Sequence, residues 1–395
     1  MSLLIKNNMA EKSRKVCTVG VWDETIPGIE FDPEGISSYA KLFHKIAQDY
    51  PRGEKGKQDW LNHVKRIREK GKNKPYDCII GLSGGTDSSY LLHLAKEYGL
   101  RPLAVYLDNG WGSEIAVSNI EKMTRALNVD LETFVIDYSE VKDVLKAYLK
   151  AGLPWVDSPT DLAIKAILLK KAARYGLKYV LIGHDFRTEG FQPTEWTYSD
   201  SKQLKYITHK FAGRRLKSYP SLSFAEFSYL SYVKKIKLLR PFFYLDYRKD
   251  EAKKMLQDVY GWKDYGGHHY ENIFTKFIIT YWLFEKFGID KRKITYSALI
   301  LNGEMSREEA LEQLAKKPYT AEQIEADINY ICKKLDLSRK EFDAIFEAEK
   351  HYFYDYPSYF PMIIKFKNLV YPLVRFFLPN KPLFVYQSEA RKVNR

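Results

Sequence analysis

The residues best equipped for chemistry lie between 82 and 88, where Leu82-Ser83-Gly84-Gly85-Thr86-Asp87-Ser88 follows the apolar run Tyr76-Asp77-Cys78-Ile79-Ile80-Gly81. Gly84 and Gly85 carry no side chains, so backbone N–H groups can close on an anion there. Ser83, Thr86 and Ser88 add hydroxyl donors, and a helix starting at this point adds its positive end. No lysine of the Gly-Lys-Ser/Thr kind follows, so this is not a Walker A loop; it suits a pyrophosphate that leaves intact. Asp87 would repel such an anion unless a divalent cation sat between them, which makes Asp87 the expected Mg2+ ligand. The plain alternative is a Gly/Ser turn that merely caps a helix over 88–98.

Ser83-Gly84-Gly85-Thr86-Asp87-Ser88 resembles the PP-loop of the N-type ATP pyrophosphatases. The resemblance implies ATP as cofactor, bound by Gly81, Leu82, Ser83, Gly84, Gly85, Thr86, Asp87 and Ser88. It also implies splitting of ATP into AMP and pyrophosphate while an oxygen is activated as its adenylate, with Asp87 and its Mg2+ taking part.

Such a loop needs a strand before it and a helix after it, and the surrounding pattern supplies many of both. Strands are expected over 76–81, 103–108, 131–136 and 179–183, with helices over 88–98, 113–127, 139–150 and 160–175 between them. Ile236-Lys237-Leu238-Leu239-Arg240-Pro241-Phe242 reads as a last strand stopped by proline, with a helix starting near Tyr247. This alternation predicts an α/β fold built on a doubly wound parallel sheet, and the loop's resemblance implies that it is of the adenine nucleotide alpha hydrolase-like PP-loop type. Expected boundaries are an N-terminal lobe and connector helix over 1–70, the ATP pyrophosphatase domain over 71–260, a helical domain over 261–350 and an aromatic, basic tail over 351–395.

In an open parallel sheet the ligand lies beyond the carboxyl ends of the strands. Asp108 and Asn109 follow the second strand; they read ribose or adenine, hold metal, or, with Ser113, simply cap a helix. Gly183-His184-Asp185 follows the fourth, where a glycine lets substrate come close to His184 and Asp185. Arg240 either faces a phosphate or makes a structural ion pair.

The chain has 395 residues, 45% of them hydrophobic, enough to bury at least one large core. Its three cysteines, Cys17, Cys78 and Cys332, show no paired spacing, which fits neither a disulfide framework nor a complete zinc site. No signal peptide or membrane-length apolar run is visible, so a cytoplasmic protein is expected. A formal charge of +13 points to anionic partners without choosing among them.

From Gly183 to about 315 the chain resembles the N-acetyl sugar amidotransferases of bacterial surface-polysaccharide synthesis, and the resemblance also covers the turn-rich stretch from Cys17 to Ala40. It is carried by Gly183-His184-Asp185-Phe186-Arg187-Thr188-Glu189-Gly190, Pro193-Thr194-Glu195-Trp196-Thr197-Tyr198, Asp200, His209-Lys210-Phe211, Tyr265-Gly266-Gly267-His268-His269-Tyr270-Glu271-Asn272 and Asp290-Lys291-Arg292-Lys293. That family usually carries two Cys-x-x-Cys pairs in the first lobe; here only Cys17 remains, with Gly20, Ser37 and Ala40 in the other places, so no zinc is expected. The long run over 183–220 shows little periodicity and reads as a substrate-binding insertion or a surface loop. In the first reading Asp185, Trp196, Asp200 and His209 contact substrate, Trp196 by stacking on a sugar or uracil face.

Asn272 and Arg292 join them as substrate contacts. His184, Glu189, His269 and Glu271 are expected to do acid/base or hydrogen-bonding work. The implied reaction is adenylation of the acetamido oxygen of an N-acetyl sugar, expected to be nucleotide-linked with UDP as carrier, followed by attack of ammonia to give an acetamidino sugar for lipopolysaccharide. A separate glutaminase, resembling the histidine-pathway glutaminase and its cyclase, would supply the ammonia. The rival reading is a tRNA-modifying PP-loop enzyme, lysidine synthetase-like or thiouridine-forming; a noncatalytic nucleotide sensor is a third. Sulfur chemistry needs a working thiol, which Cys78 in a core strand does not offer, and no nucleic acid is expected as partner. The tail docks on its own domain or forms a protein or membrane-surface patch.

Overall fold

The computed structural model describes residues 14–267 and 270–365. After an irregular first lobe come α1 (Ser38–Asp49) and α2 (Glu54–Gly71). The core then runs β1 (Cys78–Gly81), α3 (Thr86–Glu97), β2 (Pro102–Asp108), α4 (Glu114–Ala126), β3 (Leu131–Val135), α5 (Tyr138–Lys150), α6 (Ser158–Arg174) and β4 (Tyr179–Leu181). The expected insertion is helical rather than irregular, with short α7 (Phe186–Glu189) and α8 (Thr194–Thr197), then α9 (Ser201–Ala212). α10 (Phe224–Ser228) continues into a π-helical turn, Tyr229–Val233, and leads to β5 (Lys237–Leu239) and α11 (Lys249–Tyr260). The remainder is α12 (Ile273–Phe277) with its π-helical extension Ile278–Lys286, then α13 (Arg292–Leu301), α14 (Arg307–Leu314), α15 (Ala321–Leu335) and α16 (Arg339–Glu347).

All strands are parallel and lie in the order β3-β2-β1-β4-β5, the doubly wound arrangement expected. Alternate residues of β1 face opposite layers. Ile80 and Cys78 pack with Trp60, Ile67, Leu92 and Leu256 on one side, while Ile79 packs with Leu103, Val180, Ile167 and Leu168 on the other. Because the chain runs outward to β2 and β3 on one side of β1 and to β4 and β5 on the other, the order reverses between β1 and β4. In open parallel sheets such a reversal is where ligands lie, beyond the carboxyl ends of the strands.

Two expectations about the flanks are corrected. The connector helix expected within 1–70 is two helices, and they form part of the core: α1 and the longer α2 bury Phe43, Ile46, Trp60, Val64 and Ile67 against the sheet. The first lobe and the C-terminal helices also share one core, in which Cys17, Trp22 and Tyr39 pack with Phe274, Trp282, Ile294 and Ile328. Polar links fasten the two: the Val21 N–H donates to Ser297 Oγ at 2.9 Å, Arg307 Nε to Gly20 O at 3.1 Å, and Lys293 pairs with Asp23.

The would-be zinc positions are brought together but hold a hydrogen-bonded turn. Cys17 Sγ accepts from the Ser37 N–H at 3.3 Å, and Ser37 Oγ caps α1 at the Ala40 N–H. Among the described residues no group of three or more His, Cys, Asp and Glu could hold a metal ion. No helix among them is long and apolar enough to cross a membrane.

Candidate active site

The loop after β1 is pinned from behind. Gly84 has φ +79°, and a Cβ there would lie 2.2 Å from Ala116 O, so only glycine fits. Its carbonyl turns away from the loop mouth and accepts from Trp262 Nε1 at 3.1 Å and Asn119 Nδ2 at 3.3 Å. Asn119 is locked in turn by a two-way bond to the Lys263 backbone. At the mouth the hydroxyls gather: the Ser83 N–H donates to Ser88 Oγ at 3.1 Å, and the two seryl oxygens are 3.1 Å apart. Thr86 itself is buried, and its N–H donates to Tyr265 OH at 3.1 Å.

Asp87 sits in the first turn of α3, and its charge is met by protein groups. Lys249 Nζ lies 2.9 Å from Asp87 Oδ2, and the Tyr247 hydroxyl donates to Oδ1. Burial works against the Lys249 charge, yet Asp87 and Glu189 hold its ammonium above the usual lysine range. Glu271 reaches the same place from the C-terminal region: Oε1 lies 3.2 Å from where a Cβ on Gly85 would be, beside Tyr265 OH at 3.0 Å. Burial, then the Glu271 charge, pushes the Tyr265 hydroxyl up.

The end of β4 supplies the opposite wall. His184 Nδ1 is 3.3 Å from Glu189 Oε2, and Glu189 Oε1 accepts weakly from the Asp185 N–H at 3.4 Å. Glu189 also acts electrostatically on Lys249, Arg240 and Lys291, so it lies amid several cations. Gly183 is glycine for a different reason from the one expected: a Cβ there would meet the Asp87 backbone at 3.0 Å, so the close approach is of α3, not of substrate. Lys291 Nζ rests 4.0 Å over the Trp155 ring; burial lowers its ammonium to about 8 against the opposing pull of Asp161, Glu189 and Asp157.

Several expected contacts are structural. Trp196 is 5% exposed and packs in the core, so its faces are not open to a sugar or base. Asp200 caps α9 at the Lys202 and Gln203 N–H groups and accepts from Tyr198 OH and the Tyr359 N–H. His209 is exposed on the last turn of α9. Asn272 caps α12 at the Thr275 N–H, and Arg292 forks onto Asp290 while donating to Gln313 O at 2.9 Å.

Asp185 is fully buried, 3.8 Å from Arg52; burial raises it to about 7 despite Arg187 and Arg52. Arg240 is also drawn inward, over the Phe243 ring at 5.7 Å, and burial lowers its ionisation. Asp108 and Asn109 shape their own turn, accepting from the Gly110 and Trp111 N–H groups, and Ser113 caps α4. His269, with its neighbour His268, lies outside the described residues, as does the tail beyond 365. The described start of the tail docks on its own domain, where Phe353 and Phe360 pack on Tyr198.

Lys249, Tyr247, Tyr265, Asn119 and Trp262 were not singled out as site residues in the sequence. The available signal was weak: Tyr247 and Lys249 flank a helix start after β5, and Tyr265 precedes Gly266-Gly267.

Residues 271–369 match the family model described as LPS biosynthesis protein WbpG-like, C-terminal domain. An uncharacterised protein of Methanocaldococcus jannaschii is 26% identical over 272 residues, covering 67% of this chain and 81% of that protein. The tRNA-specific 2-thiouridylase MnmA of Helicobacter hepaticus is 31% identical over 117 residues, which is 26% of this chain and 32% of that protein. Similar solved structures include NMN synthetase from Francisella tularensis, at 15% identity and TM-score 0.34 over 72% of this chain and 96% of that one. The U34-tRNA thiolase NcsA from Methanococcus maripaludis aligns at 15% identity and TM-score 0.29 over 63% of this chain and 79% of that one. Structural scores this low carry no assignment, which rests on the loop, the strand order and the sequence matches. The loop and the parallel strand order are those expected of a PP-loop ATP pyrophosphatase, and residues 271–369 are similar to the WbpG-like C-terminal domain.

Proposed function

We propose that the chain is an ATP-dependent amidotransferase that converts the acetamido group of an N-acetyl sugar, nucleotide-linked, into an acetamidino group for surface polysaccharide. The observation that carries this reading is Glu271: the segment similar to LPS biosynthesis proteins begins at this residue, and its carboxylate reaches Gly85 of the phosphate loop. The family-specific domain thus touches the ATP-cleaving loop directly.

An amide is a poor electrophile, so its oxygen first attacks the α-phosphorus of ATP and pyrophosphate departs. Ammonia then adds to the activated carbon, AMP leaves with the former amide oxygen, and a proton is lost. The loop N–H groups and seryl hydroxyls hold the departing pyrophosphate, and Lys249 offers it a fixed positive charge. His184, linked to Glu189, is placed to take the proton shed by the adding nitrogen.

Mg2+ bound with ATP neutralises phosphate charge. Two carboxylates beside the loop, Asp87 and Glu271, form a donor set that fits a cation held chiefly by phosphate oxygens. The 31% match to a 2-thiouridylase favours a tRNA substrate as second reading. Against it, all three cysteines are buried, and burial pushes the Cys78 and Cys332 thiols up, the reverse of what sulfur transfer needs.

The test is incubation with ATP, Mg2+, ammonium and a panel of UDP-N-acetyl sugars. A sugar product lighter by about one mass unit, C=O replaced by C=NH, with matching AMP, supports the reading. AMP formed only with tRNA would replace it by the second.

A further inference from the structure

The end of the sheet opposite the active site carries a concentrated, largely unpaired positive charge. Lys74 precedes β1, Lys178 precedes β4 and Lys237 opens β5, and these three parallel strands are neighbours. Lys178 Nζ donates to Lys234 O at 2.7 Å and Lys74 Nζ to Gly176 O at 2.5 Å, and the Lys237 backbone N–H donates to Lys178 O at 2.8 Å, which sets the two residues side by side on neighbouring chain segments. Lys178 and Lys70 act electrostatically on Lys74, so these three ammonium groups lie near one another, with Lys237 on the neighbouring strand. Acids on the β3 side of this end are already engaged: Asp77 by Arg101, Asp130 by Tyr76 and Glu132 by Lys171. Glu226 is tied into the cap of α10, and Glu69 and Asp59 are the carboxylates of α2 on this side.

Beside this charge stands a helix with its apolar side turned outward. Through Phe224–Ser228 and Tyr229–Val233, Leu230 and Phe227 face the sheet layer. The solvent side carries Tyr229, Tyr232 and Val233, at 48%, 66% and 65% exposed. Lysines around projecting tyrosine and valine side chains match a headgroup layer, where the rings and methyls enter the boundary and the ammonium groups stay with phosphate. Nucleic acid would reward the charge but has no use for Val233.

We propose that this end of the sheet is a docking face for an anionic lipid surface, seating the chain with its phosphate loop turned away from the bilayer. Phosphate loop and lysines lie at opposite ends of the same parallel strands, so docking leaves the crevice open.

The test is flotation of the full chain with vesicles of phosphatidylcholine containing roughly 30% phosphatidylglycerol, or none, at about 0.1 M salt. The variants are Lys234→Glu/Lys237→Glu and Tyr232→Ser/Val233→Ser, each checked for an unchanged melting midpoint. Flotation with the anionic vesicles alone, reduced at least about tenfold by the charge variant and about fivefold by the apolar one, supports the proposal. It is overturned if the chain fails to float with anionic vesicles, or if both variants float as well as the parent. Retention on bulk tRNA in place of flotation, lost in the charge variant only, overturns it in favour of a nucleic-acid surface.

Discussion

Lys249 Nζ lies 2.9 Å from Asp87 Oδ2, so the phosphate loop obtains from α11 the lysine its own sequence lacks. A loop without a following lysine leaves Asp87 as an uncompensated negative charge beside an anion site. The structure answers this with an ion pair between groups 162 residues apart, closed further by the Tyr247 hydroxyl. Replacing Asp87 by alanine should lower Mg2+-dependent pyrophosphate release by roughly 100-fold or more, the scale of one preorganised electrostatic group. Lys249→Met should cost a similar factor, and the double variant little beyond either single one, because the residues act as a unit. Stopped assays for pyrophosphate would show it; additive losses would mean the two act separately.

The rear of the loop makes a separate prediction. Asn119 holds Gly84 O and the Lys263 backbone but does not face the loop mouth. Asn119→Ala should destabilise the fold by about 1 to 3 kcal/mol, since it leaves buried backbone groups unpaired, and should raise KM for ATP more than it lowers kcat. Urea titration and steady-state kinetics would separate these effects.

Asp185 gives a pH dependence with a definite sign. Burial raises its folded-state ionisation from 3.8 to about 7. Between those values the folded chain keeps a proton that the unfolded chain has released, so stability falls as pH rises through the window and levels off above about 7. Asp185→Asn should flatten that decline by an amount on the order of 1 to 4 kcal/mol, read as the difference in urea midpoints between about pH 4.5 and 7.5. Parallel declines in both proteins would show that other groups carry the effect.

Zinc analysis tests the first lobe. Cys17 Sγ and Ser37 complete a hydrogen-bonded turn where a four-thiolate site would need ligands, and Trp22 ring atoms lie 2.8 Å from where a Cβ on Gly20 would be. Chain purified without added metal should contain no stoichiometric zinc. Elemental analysis giving one zinc per chain would overturn this.

What the sequence made legible follows from the range of the interactions involved. β1, β2 and β4 are short apolar runs buried on both faces, and α3 and α4 follow the first two closely, so the parallel strand–helix alternation and the loop could be read from neighbours. α9 escaped notice although Asp200 caps it and Gly213 ends it in the left-handed region, because buried Gln203 and Thr208 interrupt the apolar stripe of Leu204 and Ile207. Trp196 read as a free aromatic because nothing local shows that it is buried in the same core as residues of α5 and the C-terminal helices. Lys249, Tyr265 and Asn119 lie beyond any such reading: their partners in the loop are distant in sequence, and only the packed sheet brings them together.

The last prediction concerns the nitrogen source: the chain should use free ammonia and depend on a separate glutaminase. A cysteine glutaminase needs an accessible thiolate backed by a histidine and a carboxylate. The sequence holds three cysteines, and all are buried. Cys78 lies in the central strand, where burial pushes its thiol up. Cys332 lies in the last turns of α15, also raised by burial, and Cys17 Sγ serves the Ser37 turn. Ammonium at alkaline pH, where the neutral amine is abundant, should therefore support acetamidine formation with ATP, Mg2+ and the correct sugar. Glutamine alone should not, and addition of a purified glutaminase should restore product. Turnover with glutamine alone, retained when Cys17, Cys78 and Cys332 are each replaced by alanine in preparations free of contaminating glutaminase, would place a second nitrogen-releasing site outside any thiol chemistry; loss with one replacement would identify that cysteine as its nucleophile. Either result would sink the dependence on a partner.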